Sequence, residues 1–254
     1  MEEITFYDWL TKNYEGKVGA GGGLFCGLHI CLMVIMALAI LTFAIIFIKN
    51  KKFAFRFCFV VCCFMIMFRL MRMLLELFVI GKPFLEILPW QLCHILAFVF
   101  PLYYFTKSEF FVTPVLFLTF FGGVLTFAFG NYYEFNRLSF LDLESIMLHF
   151  AMPIVSVGAI ISGRLKFKIS RFWWQLPIAL GVLFGYASLA NWLVPGHNYM
   201  YIAENGLPFN LFGTANHIFT YMVVAVVLML TFMLPFLIVK IVKAHKQRKL
   251  KNQI

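Results

Sequence analysis

The chain has 254 residues, of which 63% are hydrophobic and only 13% charged, with a mean hydropathy of +0.90. That balance excludes a water-soluble domain, which needs far more polar surface to stay dispersed. The net charge of +10 would suit a nucleic-acid partner, but the bases gather in particular loops, where they read as membrane-topology signals, so nucleic acid is not expected.

In chain order, residues 1–23 form an acidic tail with Glu2, Glu3, Asp8 and Glu15, the wrong charge for the front of a cleavable signal, so the chain is expected to be kept whole. Within it "FYDWL" followed by "GAGGG" predicts a short interfacial segment and then a hinge. Seven apolar runs follow, at 24–48, 54–80, 84–105, 110–130, 139–162, 172–194 and 216–239. Each approaches or exceeds the ~20 residues that cross a bilayer as a helix, and no alternating pattern suggests a barrel. The fold class expected is therefore all-α, a multi-pass cell-membrane protein of seven helices over 24–239, closed by a basic tail over 240–254. When the loops are assigned alternately to two sides, one side receives 15 of the 21 Lys and Arg residues, including Lys51, Lys107, Lys166 and the whole C-terminal tail. The positive-inside rule then places the C-terminus in the cytoplasm and the N-terminus outside.

Charged groups inside a span cost at least ~2.5 to 3.5 kcal/mol, so each needs a partner or a purpose. In the second span Arg69, Arg72 and Glu76 share one helix face at i, i+3 and i+7. Arg72 and Glu76 can pair along the helix, which leaves Arg69 needing an acid from another helix or a bound anion. In the third span Glu86, Trp90 and Cys93 share a face at i, i+4 and i+7, with His94 flanking it, Gln91 further round on the same side and Pro89 bending the helix. Thr119, Gly123, Thr126 and Gly130 make a small-residue stripe on the fourth span, read as close helix packing. On the fifth, Asp142, Ser145, His149 and Ser156 fall on one line. At 1.5 Å per residue Cys93 and His149 lie at roughly the same depth, about 14 to 15 Å below the outer surface. Asn191, Asn198, Tyr199 and His217 cluster at the outer ends of the last two spans. These stripes are expected to line one polar cavity in the outer half of the membrane.

The run Leu-Pro-x-x-Leu-Cys-His at 88–94, the histidine of "MLHFAMP" at 147–153 and "ANWLVPGHNYMY" at 190–201 resemble the YwaF-like bacterial membrane proteins and their animal relatives, the transmembrane protein 164 family. The resemblance covers roughly 25–243. It implies a multi-helix fold without a soluble domain and phospholipid acyl transfer, with Cys93 as the nucleophile and His149 as the histidine. Two positions depart from the pattern of many bacterial relatives, Gln91 where they carry histidine and Phe150 where they carry glycine.

Two readings of these residues stand side by side. In the catalytic one, Cys93 attacks an ester carbonyl of a membrane phospholipid, His149 shuttles the proton, and Arg69 or Arg72 holds a phosphate, as planar guanidinium groups do well. Gln91, His94, Glu76, Glu86, Asn191, Asn198, Tyr199 and His217 would then line the substrate chamber, with His94 a second candidate base. In the other, Cys93 is an apolar filler, the histidines are satisfied interior groups, and the polar stripes with Pro89, Pro101, Pro153 and Pro177 describe a solute path or a non-catalytic membrane factor. No Gly-rich phosphate loop or ligand spacing is present, and all six cysteines fall in predicted spans without zinc or disulfide spacing, so neither metal nor cofactor is expected.

Overall fold

The computed structural model describes residues 4–13, 27–129 and 138–201, and every structural statement below concerns these. The seventh predicted span, His217 and the basic tail lie outside them. The chain divides into two compact units, 1–200 and 201–254, and the first carries the architecture that follows.

All its regular structure is helical: α1 (Phe6–Thr11), α2 (Gly27–Lys49), α3 (Lys51–Phe78), α4 (Phe84–Ile87), α5 (Leu92–Thr106), α6 (Val112–Phe129), α7 (Phe140–Ile161), α8 (Ile169–Leu193) and a 3-10 turn at Tyr199–Tyr201. Four of these helices, α2, α3, α7 and α8, are long and apolar enough to cross a membrane; α5 and α6 are shorter apolar helices. The first, second, fourth, fifth and sixth predicted spans coincide with α2, α3, α6, α7 and α8 to within about three residues at each end.

The third does not. A continuous helix over 84–105 was expected, but the structure has a single turn of helix, α4, then an extended break through Leu88–Gln91, then α5. Pro89 is the cause: it donates no backbone hydrogen bond and pushes Leu88 into the extended region, where ψ is 156°. Glu86, Trp90 and Cys93 therefore do not share a helix face, and counting 1.5 Å per residue from Phe84 does not give the depth of Cys93. Pro101, Pro153 and Pro177 sit within helices that carry on past them.

α7 is the centre of the bundle, packing against α2, α3 and α6 and touching α1 and α5. Two glycines make the closest approaches. A Cβ at Gly123 of α6 would stand 2.8 Å from the His149 carbonyl oxygen and 2.7 Å from Pro153 Cδ. A Cβ at Gly158 of α7 would collide with Cys58 of α3 and lie 2.8 Å from Phe47 of α2. Small residues permit such contact where dispersion, not water, drives helix association. α2 and α8 instead turn apolar side chains outward, among them Leu41, Ile45, Val182 and Trp192, as helices bordering lipid do.

The N-terminal α1 is closed by a capping box between Thr5 and Asp8. It leans on the start of α7, where Lys12 Nζ meets Asp142 Oδ1 at 3.0 Å and Trp9 lies edge-on to Phe140. At the other end of the bundle, the loops carrying Lys51, Lys107 and Lys166 surround one hollow, so these three basic connections lie together.

Candidate functional site

Beside the apolar cluster of Cys58, Cys62, Met65, Leu96, Leu148 and Met152 lies a charged layer contributed by α3, α7 and the connection after α3, next to the start of α5. Arg72 organises it. Its Nε donates to Glu76 Oε1 at 3.3 Å along α3, as the spacing predicts, and its Nη1 donates to Glu144 Oε2 at 2.9 Å on α7. Lys82 Nζ also reaches Glu76 Oε1 at 3.2 Å. Arg69, one turn back, is 1% exposed, and among the described residues its Nε and Nη1 have no hydrogen-bond partner. Among the described residues the charges in this layer are three cations (Arg69, Arg72, Lys82) against two carboxylates (Glu76, Glu144), an excess of one positive charge.

Cys93 stands beside this charge. The Pro89 break makes Gln91 the N-cap of α5, so Cys93 occupies the first turn of a helix rather than its middle. The first bond of the α5 ladder is Ile95 N–H to Gln91 O at 3.1 Å, and the amides of Leu92 and Cys93 precede it. Arg69, Arg72 and Glu144 are all within electrostatic range of the Cys93 sulfur. A helix N-terminus and a cation are the surroundings in which a thiolate or an oxyanion is best accommodated. Cys93 and His94 are partly buried.

His149 is 2% exposed, on α7. Its Nδ1 lies 2.7 Å from the Ser145 carbonyl oxygen. A carbonyl only accepts, so the hydrogen sits on Nδ1 and the lone pair of the neutral ring sits on Nε2. His94 and Arg72 are within electrostatic range of the His149 ring. No hydrogen bond joins Cys93 to His149 among the described residues. Among those residues no three His, Cys, Asp or Glu side chains could together hold a metal ion.

The remaining predicted site residues form a different cluster. Gln91 Oε1 accepts from Met200 N–H at 3.0 Å, and Asn191 Oδ1 accepts from Tyr199 N–H at 2.7 Å. Trp90 donates to the Leu85 carbonyl and packs against Tyr186 and Tyr199. Glu86 Oε2 lies 3.9 Å from His197 Nε2. Gln91, Glu86, Asn191 and Tyr199 thus fasten the end of α8 and the turn after it to the α4–α5 break, and Asn198 lies in the same turn. Glu144 also belongs to this layer, although it is not among the predicted site residues: it is 3% exposed and held by Arg72. Its signal in the sequence was a carboxylate in the fifth span beside a second-span pair of arginines that held one acid.

Lipid-facing apolar helices around a buried charged layer define an α-helical membrane protein. The TMEM164 family model matches residues 24–241, and the chain belongs to that family. No curated protein and no solved structure matches it.

Proposed function

We propose that the chain is a membrane-embedded acyltransferase, or a hydrolase where water is the acceptor, acting on a phospholipid-type ester through Cys93 and His149. We place it with the YwaF-like members of its family, in the cell membrane, with the site opening toward the outer half of the bilayer. The observation that carries this reading is the buried Arg69, in a layer with one more cation than carboxylates among the described residues, near a partly buried cysteine in the first turn of α5. Lipid contact alone explains neither.

The chemistry follows from the roles. His149 Nε2 takes the Cys93 proton, and the sulfur adds to the ester carbonyl. Negative charge gathers on the carbonyl oxygen, and the Cys93 amide or Arg69 stabilises it. Collapse breaks the C–O bond, the alkoxide leaves with the proton held by His149, and an acyl thioester remains on Cys93. An acceptor hydroxyl or amine, or water, then gives its proton to His149 and takes the acyl group, and the proton returns to sulfur. Cys93 and His149 must close together when substrate enters, which apo catalytic pairs commonly do.

The test uses the full chain in nanodiscs with a phospholipid carrying a labelled acyl chain. Intact-protein mass spectrometry is expected to find the acyl adduct on the wild type and not on Cys93→Ala, and His149→Ala is expected to slow its formation. Equal labelling of all three overturns the reading. An anionic-lipid carrier would depend on Arg69 yet keep its function in Cys93→Ala.

A further inference from the structure

At the other end of the bundle, roughly 20 Å along α3 from Arg69 at 1.5 Å per residue, three connections enclose a hollow of about 830 Å³. Lys51, Lys52 and Arg56 come from the start of α3, Lys107 from the end of α5, and Arg164 and Lys166 from the turn after α7. Phe55 and the buried Val112 and Leu165 supply its apolar wall. We propose that this hollow binds a phosphate-bearing anion, at a site distinct from the Cys93 layer.

The internal pairing supports this. Glu109 is the one acid among the described residues of the lining, and it is already engaged: Lys168 forms an ion pair with it, and Arg171 Nη1 donates to its backbone oxygen at 3.1 Å and lies 3.9 Å from its carboxylate. Arg164 donates to the carbonyls of Tyr104 at 2.7 Å and Phe105 at 2.8 Å, which fixes its position while leaving its charge in place. Its guanidinium also lies over the Phe55 and Tyr104 rings. Lys51, Lys52, Arg56, Lys107 and Lys166 have no ion pair among the described residues. Lys51 and Lys52 further occupy the first turn of α3, which holds no acid, although a helix N-terminus favours negative charge. These cations are exposed around the hollow and available to an incoming anion.

The positive-inside rule accounts for basic loops on one side. It does not require three loops to bring six cations round one cavity with an apolar wall. A phosphate, with two or three oxygens and up to two charges, matches such a ring of donors better than a single carboxylate does. The same chemistry can come from a lipid headgroup of the adjacent leaflet or from a soluble phosphate ester, and the wall of Phe55, Val112 and Leu165 suits the carbon skeleton of either.

The test has two arms and needs neither Cys93 nor turnover. In detergent, the melting temperature of the full chain is followed against inorganic phosphate and pyrophosphate, with chloride at matched ionic strength as the reference. In nanodiscs, it is compared in phosphatidylcholine with and without added phosphatidylglycerol. A saturable rise is expected in at least one arm, with apparent affinity about tenfold weaker (about 1.4 kcal/mol) in Lys107→Gln/Lys166→Gln, which removes two solvent-facing charges. Lys49→Gln, at the same end but off the lining, should behave as wild type. A response in detergent identifies a soluble anion and a response to phosphatidylglycerol alone identifies a headgroup. Chloride matching phosphate with phosphatidylglycerol inert, or a double variant equal to wild type, overturns the proposal. If the double variant does not elute as a folded species, Arg56→Gln is read in its place by the same criteria.

Discussion

Two arginines one turn apart on α3 have opposite situations, and their variants should separate cleanly. Replacing Arg69 by Met removes the excess charge and leaves two cations against two carboxylates, so the melting temperature is expected to stay level or rise. Under the proposed function the same variant lowers turnover by on the order of 10²-fold, the loss from removing one donor to a developing oxyanion. Arg72→Met should do the reverse to stability. It strands Glu144 and leaves Glu76 to Lys82, and breaking a buried pair costs about 3 to 5 kcal/mol. Denaturation curves of the two variants side by side check this. If Arg69→Met proves the more destabilising, the charge assignment is wrong. The sequence already contained half of the pattern, since the i, i+4 spacing pairs Arg72 with Glu76 and leaves Arg69 over. That Arg72 is the one to hold Glu144 was out of reach, because the two lie 72 residues apart and no periodicity within one helix reports a contact between two.

At the scale of elements, the break before α5 matters most. A residue in the middle of a helix has its amide committed to the ladder, whereas one in the first turn does not. Pro89 therefore does more than bend the third span: it gives Cys93 a helix start. Pro89→Ala is expected to let helix extend through 88–91. That should lower acyl-adduct formation on Cys93 while the protein stays folded, with hydrogen exchange at 88–94 reporting the extension. Gln91→Ala frees the Met200 amide and should loosen the 199–201 turn by about 1 kcal/mol, the worth of one hydrogen bond. Gly158→Ala forces a methyl against Phe47 and Cys58 and should cost about 1 to 3 kcal/mol in thermal stability. Gly123→Ala should cost as much and, by pushing α6 off the His149 turn, should also slow the reaction. The small-residue stripe predicts close packing of the fourth span without naming its partner; the structure sets Gly123 of that stripe against α7 at His149, while Gly130 lies outside the described residues.

For the whole molecule, sidedness is the open quantity that the fold makes measurable. Lys82 lies at the end of the bundle that holds α1, the charged layer and the turn after α8, and Lys107 lies at the basic end. A membrane-impermeant thiol reagent applied to intact cells is expected to label Lys82→Cys, and Lys107→Cys only after permeabilisation. The opposite pattern would invert the orientation and move both proposed sites to the other face of the membrane.

Composition alone made this a membrane protein, because 63% hydrophobic residues cannot be covered by the remainder in water. Run length located five helices, since a span must match the thickness of the hydrocarbon. Which face of each helix turns inward, and what it meets there, depended on contacts between residues far apart in the chain. The pairing of Arg72 with Glu144, the excess of one cation in their layer among the described residues and the gathering of three basic loops round one hollow all belong to that category. Local spacing describes a helix by itself, and charges are satisfied or left over only once the helices are packed together.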